Sequence, residues 1–178
     1  MYSVEMDSQE NTCIIGTGFL QMTDTGQRCS AVPFLSSYTG VEDIKAVTAA
    51  TVVTLLSEEQ IIIIVNQGLW FSDHTSMRHT LFNPNQLRSY GVEVQDNPFA
   101  KYHIGIRTTQ GFIPMKKLGT TIYFNCKPPT KRYLTLLPRV TGTSPCIWIP
   151  QKVSFPKTSL PDDDQELQVQ QLDLTRED

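Results

Sequence analysis

A mainly β protein is the fold class this sequence predicts, and three observations carry it. Apolar and polar residues alternate over short stretches, as in Tyr102, Ile104 and Ile106 against His103, Gly105 and Arg107. β-Branched residues dominate the two longest apolar blocks, 44–56 and 61–65. Turn-forming Gly, Pro, Asn and Asp then punctuate the chain at strand-length intervals. The 178 residues, 39% hydrophobic and 19% charged, suit one globular domain or two very small ones and exclude a collagen-like, heptad-repeat or wholly disordered chain.

In chain order, residues 13–19 form a short apolar run, Thr23-Asp24-Thr25-Gly26 reads as a turn, and 31–35 begin a strand around Pro33. Block 44–56, the charged tip Ser57-Glu58-Glu59-Gln60 and block 61–65 predict a hairpin, with the acids guarding an aggregation-prone strand. A helix is predicted over 84–90, because Asn83 can cap it, Pro84 takes the first position where no N–H is needed, and Gly91 supplies a left-handed exit. Leu87 and Tyr90, three apart, are expected to dock on the sheet together. After Asn97-Pro98 a second β segment follows: 102–107, a turn at Thr109-Gln110-Gly111, a return over 112–115, and a strand over 120–124. Recurring prolines from Pro128 to Pro161 predict an extended, loop-rich wrap.

Composition removes several function classes. No apolar run nears the ~20 residues that span a bilayer, so no membrane partner is expected. Residues 1–7 lack the basic and apolar regions of a secretory leader, which leads to an intracellular, cytoplasmic expectation. Cys13, Cys29, Cys126 and Cys146 are too widely spaced for a zinc pair, and His74, His79 and His103 form no ligand pattern, so neither metal nor cofactor is expected. Seven acids against Arg176 alone make 161–178 an acidic, solvated tail; the body before it carries a mild basic excess, a weak nucleic-acid signal. Nucleophile elbows and phosphate-cradling glycine loops are absent from the sequence.

What remains is an Asp followed by a hydroxyl residue, in Asp7-Ser8-Gln9-Glu10-Asn11-Thr12-Cys13-Ile14-Ile15-Gly16. Asp-Ser, an apolar strand, a long hairpin and then Asn83-Pro84-Asn85-Gln86-Leu87-Arg88-Ser89-Tyr90-Gly91 follow in that order. With Asp7, Ser8, Thr12 and the stretch Val65-Asn66-Gln67-Gly68-Leu69-Trp70-Phe71-Ser72-Asp73, this resembles the aspartic protease segment of copia-type LTR retrotransposon polyproteins. The branch it resembles writes its motif Asp-Ser-His-Ala-Asp-Thr. Lys127-Pro128-Pro129-Thr130, Thr143-Ser144, Trp148 and Pro150 resemble the segment that leads toward the integrase, so the likeness covers about residues 3–150. Two departures stand beside the catalytic motif: Gln9 where Gly or His is usual, and Glu10 where a small residue is usual.

The resemblance implies a retropepsin-like closed, antiparallel β domain with one short helix over 1–97, a β-rich extension over 98–160, and a disordered tail over 161–178. It implies an aspartic endopeptidase in which each chain of a two-fold homodimer supplies Asp7, Ser8 steadies the loop across the axis, and a polypeptide, the Gag-Pol polyprotein, is the substrate. The hairpin tip Ser57, Glu58, Glu59 and Gln60 is the candidate flap. Asp24-Thr25-Gly26 spells the generic protease triplet, but its polar flanks read as a turn, so Asp7 is preferred. Two other readings stay open: a catalytically inactive remnant that serves as a binding or structural module, its loop altered at Gln9 and Glu10, and a Gag-like nucleic-acid module, disfavoured by the missing zinc knuckle.

Overall fold

The computed structural model describes residues 1–31, 40–71 and 79–155. Asp73, His74, residues 32–35 of the expected strand around Pro33, and the acidic tail lie outside the described residues. The expected β class holds. Strands β1 (Tyr2–Met6), β2 (Ile14–Ile15), β3 (Leu20–Ala31), β4 (Val41–Thr54), β5 (Gln60–Trp70) and β6 (Thr80–Phe82) precede helix α1 (Pro84–Ser89). β7 (Glu93–Gln95), β8 (Gly105–Thr108), β9 (Gly111–Pro114), β10 (Lys116–Leu118), β11 (Thr121–Cys126), α2 (Lys131–Leu136) and β12 (Arg139–Thr141) follow it.

The principal sheet runs β10-β11-β1-β6-β2-β5-β4-β3, with β12 also on β5, while β7-β8-β9 form a small second sheet. It is mixed rather than antiparallel throughout: β1 lies parallel to β6, and β2 and β12 lie parallel to β5. Val52 and Lys127 exchange two backbone hydrogen bonds, 2.8 and 3.1 Å, which tie β4 to the end of β11 and bring the sheet round on itself.

Ile61–Val65 is apolar at every position because both faces of β5 are covered. Ile61, Ile63 and Val65 enter the main core with Val4, Ile15, Phe82 and Leu87, whereas Ile62 faces a second cluster with Ala50 and Val52, roofed by Tyr133, Leu134 and Leu137. A strand buried on one side only would alternate. Helix α2, unforeseen among the prolines, supplies that roof; Thr130 caps it by accepting from the Tyr133 N–H.

Three expectations need correction. Tyr90 does not dock beside Leu87: it is the C-cap of α1 and 44% exposed, since the chain turns away there toward Gly91 at φ +83°. Thr23 to Gly26 is not a turn between strands but an irregularity inside β3, where the register against β4 slips and Gly26 takes φ +81°. The packing also shows no boundary at residue 97. β11 is the antiparallel partner of β1, from Tyr2↔Cys126 to Glu5↔Tyr123, and Ile106, Ile113, Phe124 and Val140 share one core with Val4 and Phe82.

Ending the chain after residue 97 would strip the outer edge of β1 and remove those core side chains. Such a chain is expected to show no cooperative thermal transition by circular dichroism, whereas residues 1–155 should keep one. A cooperative melt from 1–97 would contradict the single core.

Candidate functional site

Asp7 follows β1 rather than opening a strand. Because β6 lies between β1 and β2 and pairs with both, the chain leaving β1 must pass over the C-terminal end of β6 to enter β2 on its far side. Residues 7–13 make that crossing. The Asp7 N–H donates to Phe82 O at 2.9 Å, continuing the β1–β6 ladder by one bond. Asp7 Oδ1 then accepts the Gln9 N–H at 2.9 Å, an Asx turn that orients the half-buried carboxylate and leaves Ser8 exposed at the tip.

The string Asn83 to Arg88 holds this crossing from below. Asn83 caps α1 by accepting from the Asn85 N–H at 2.8 Å. Gln86, 1% exposed, accepts the Cys13 N–H at 2.7 Å and donates from Nε2 to Gln67 O at 3.3 Å. One side chain thereby satisfies backbone groups of the crossing and of β5; leaving the buried Cys13 N–H unpaired would cost about 1–3 kcal/mol. Arg88 closes the helix onto the next strand, donating to Val94 O at 3.0 Å and to Asp96 Oδ1 at 2.7 Å. Trp148 reaches back from the far end of the described chain, its Nε1 donating to Asn11 O at 2.7 Å. Sequence reading singled out the Asn-Pro-Asn-Gln-Leu-Arg string as a signature without the Gln86 role. An amide 73 residues from its acceptor's partner leaves no local periodicity to find.

Glu10 lies close enough to feel Asp7. Its carboxyl is raised above the ordinary glutamate range, first by its own burial and second by the negative charge of Asp7. Cys13, fully buried behind the loop, is pushed up to about 12 by burial, so its thiol is inert at neutral pH. No group of acids, histidines and cysteines able to hold a metal occurs among the described residues.

Asp24 has a different setting. Arg28 binds it with two nitrogens at 3.0 Å, and the Gly26 N–H donates to Oδ1 at 2.9 Å. Those hydrogen bonds, Arg28 first, hold its carboxyl below the usual aspartate range on an exposed strand. An acid fixed in its ionised form by a guanidinium is poorly placed to exchange protons with water.

Ser57, Glu58, Glu59 and Gln60 are not brought to Asp7. They form the β4–β5 turn, closed by Leu55 N–H to Glu59 O at 2.8 Å. β2 joins β5 at Leu69 and Trp70, the other end of the strand, about 30 Å away along it at 3.3 Å per residue. The turn also packs on β9, with the Leu56 N–H donating to Phe112 O at 2.7 Å. That anchorage opposes the motion a flap needs.

No protein-family model matches the chain, and neither a curated protein nor a solved structure matches it.

The raised Glu10 sets a sign for pH dependence. Folding favours the protonated acid, so that stability is fully present below the unfolded glutamate pKa and is lost as pH rises through the raised folded value. Gln imitates the protonated form. Glu10→Gln is expected to melt above the parent at about pH 7 and with it at about pH 3.5; equal melting at both would contradict the assignment.

Proposed function

We propose that the chain is an aspartic endopeptidase of the copia-type retrotransposon lineage, with a retropepsin-like fold, acting as a two-fold dimer in which each chain contributes Asp7. The observation that supports this most is the crossing loop, which carries the Asp7 carboxylate and Ser8 at the end of the β1–β6 ladder while Phe82, Gln86 and Trp148 hold its backbone. Two such loops meeting on an axis would set one carboxylate against the other. A close pair cannot ionise together, so one proton is shared. The ionised Asp7 takes a proton from water as the water oxygen attacks the peptide carbonyl; the protonated Asp7 donates to the carbonyl oxygen, and collapse expels the amine with a proton returned to it.

The β4–β5 turn, far from Asp7 and tied to β9, is not assigned as the closing arm. The inactive binding or structural remnant remains the second reading, favoured by Gln9 and Glu10: the Gln9 N–H already occupies Asp7 Oδ1, and Glu10 adds a like charge.

Asp7→Asn is expected to lower cleavage of an unstructured polypeptide by about 10⁴-fold, with an unchanged melt and a parent optimum at mildly acid pH. Asp24→Asn should stay within about twofold of the parent, since an Asn side-chain oxygen can also accept the Gly26 N–H. Gln9→Gly with Glu10→Ala should raise the rate by removing the like charge beside Asp7. Cleavage lost with Asp24→Asn and kept with Asp7→Asn would reverse the assignment, and no cleavage by the parent or the double variant would leave the remnant.

A further inference from the structure

Charge is segregated along the chain far more sharply than the whole-body count reveals. Residues 1–96 hold four Lys and Arg against eleven Asp and Glu, whereas residues 97–161 hold ten Lys and Arg and no acid at all. The two stretches share one core, so the segregation is a property of the surface and not of separate domains.

The fold gathers part of the basic stretch onto one face. The loop 97–103 lies against β10, with Lys117 Nζ donating to Pro98 O at 2.9 Å and the Met115 N–H donating to Ile104 O at 2.9 Å. Between them is an open cleft of about 390 Å³ lined by Lys101, Tyr102, His103, Met115 and Lys117. Phe99 and Tyr102 are 90% and 87% exposed, more than any other aromatic side chain among the described residues. Lys101 and Lys117 are exposed beside them and meet no acid among the described residues, whereas Arg107 is paired with Glu93 at 3.4 Å. Lys116 shares the opposite face of the sheet with Tyr123 and Glu5, and Glu5 there meets His79 at 3.6 Å.

Exposed rings cost solubility unless something flat covers them, and adjacent lysines free of acids call for a polyanion. A chain that offers both flat apolar faces and a regular line of negative charge is single-stranded nucleic acid, whose bases stack on aromatic side chains while its phosphates meet lysine. A duplex hides its base faces and would leave Phe99 and Tyr102 bare. We propose that the face formed by Phe99, Lys101, Tyr102 and Lys117 binds single-stranded nucleic acid, independently of any chemistry at Asp7.

The test is fluorescence anisotropy of the full chain with labelled 20-nucleotide single-stranded RNA, single-stranded DNA and a duplex of the same length, titrated between about 50 and 200 mM salt. Either single strand should bind at least tenfold tighter than the duplex; a preference for RNA would show that the 2′-hydroxyl is also read. Phe99→Ala with Tyr102→Ala should weaken single-strand binding about tenfold or more without changing the salt slope. Lys101→Gln with Lys117→Gln should lower that slope by about 0.7 per lysine removed. Circular dichroism of both variants should match the parent. Duplex bound as tightly as single strand, variants that bind like the parent, or no binding at about 50 mM salt would each overturn the proposal.

Discussion

The placing of β6 between β1 and β2 is the constraint on which the rest depends. Both edges of β6 are hydrogen-bonded, one to a parallel and one to an antiparallel neighbour, so beyond the Asp7 N–H the segment joining β1 to β2 leaves the ladder and must cross above. A crossing segment brings unpaired backbone groups with it, and their satisfaction is what the surrounding side chains are arranged to do. Gln86 takes the Cys13 N–H, the Asp7 carboxylate takes the Gln9 N–H, and Trp148 uses the Asn11 carbonyl. The same crossing makes the far C-terminal segment indispensable: β11 covers β1, and Thr143 exchanges hydrogen bonds of 2.7 Å with both backbone groups of Asn66 on β5.

Local chemistry was legible in the sequence and long-range pairing was not. Asn83, Pro84 and Gly91 announced α1 because capping, a missing N–H and a positive φ are decided within a few residues. The hairpin of β4 and β5 was legible from its β-branched blocks. The parallel pairings were invisible, since β1 and β6 meet across more than seventy residues and carry no shared turn signal. For the same reason the sequence could not show that residues 98–155 complete the first core, or that Lys127, Thr130, Thr143 and Trp148 serve packing and capping. At the site, Asp7 and Ser8 were found from their order in a motif. The setting of Asp24 needed Arg28 folded back onto it, a bulge geometry that the letters Asp-Thr-Gly do not convey.

The acids of the described residues all come from the first 96 residues, Asp7 and Glu10 among them, and the acid-free stretch builds the lysine and aromatic face around Tyr102 and Lys117. Because the strands of the two stretches interleave in one sheet, neither stretch can be lost without the other's support. The Asp7 loop and the lysine and aromatic face are thereby tied into one sheet by the β1–β11 pairing.

Subunit mixing tests the central claim most directly, that each of two chains supplies one Asp7. Parent and Asp7→Asn chains are unfolded together, refolded in equal amounts and assayed for peptide cleavage at constant total protein. If the site is built on the axis of a dimer, only parent pairs are active, and random pairing leaves about a quarter of the activity of the all-parent sample. A residual activity of about half, proportional to the parent chains present, would show that one chain suffices and would contradict the account.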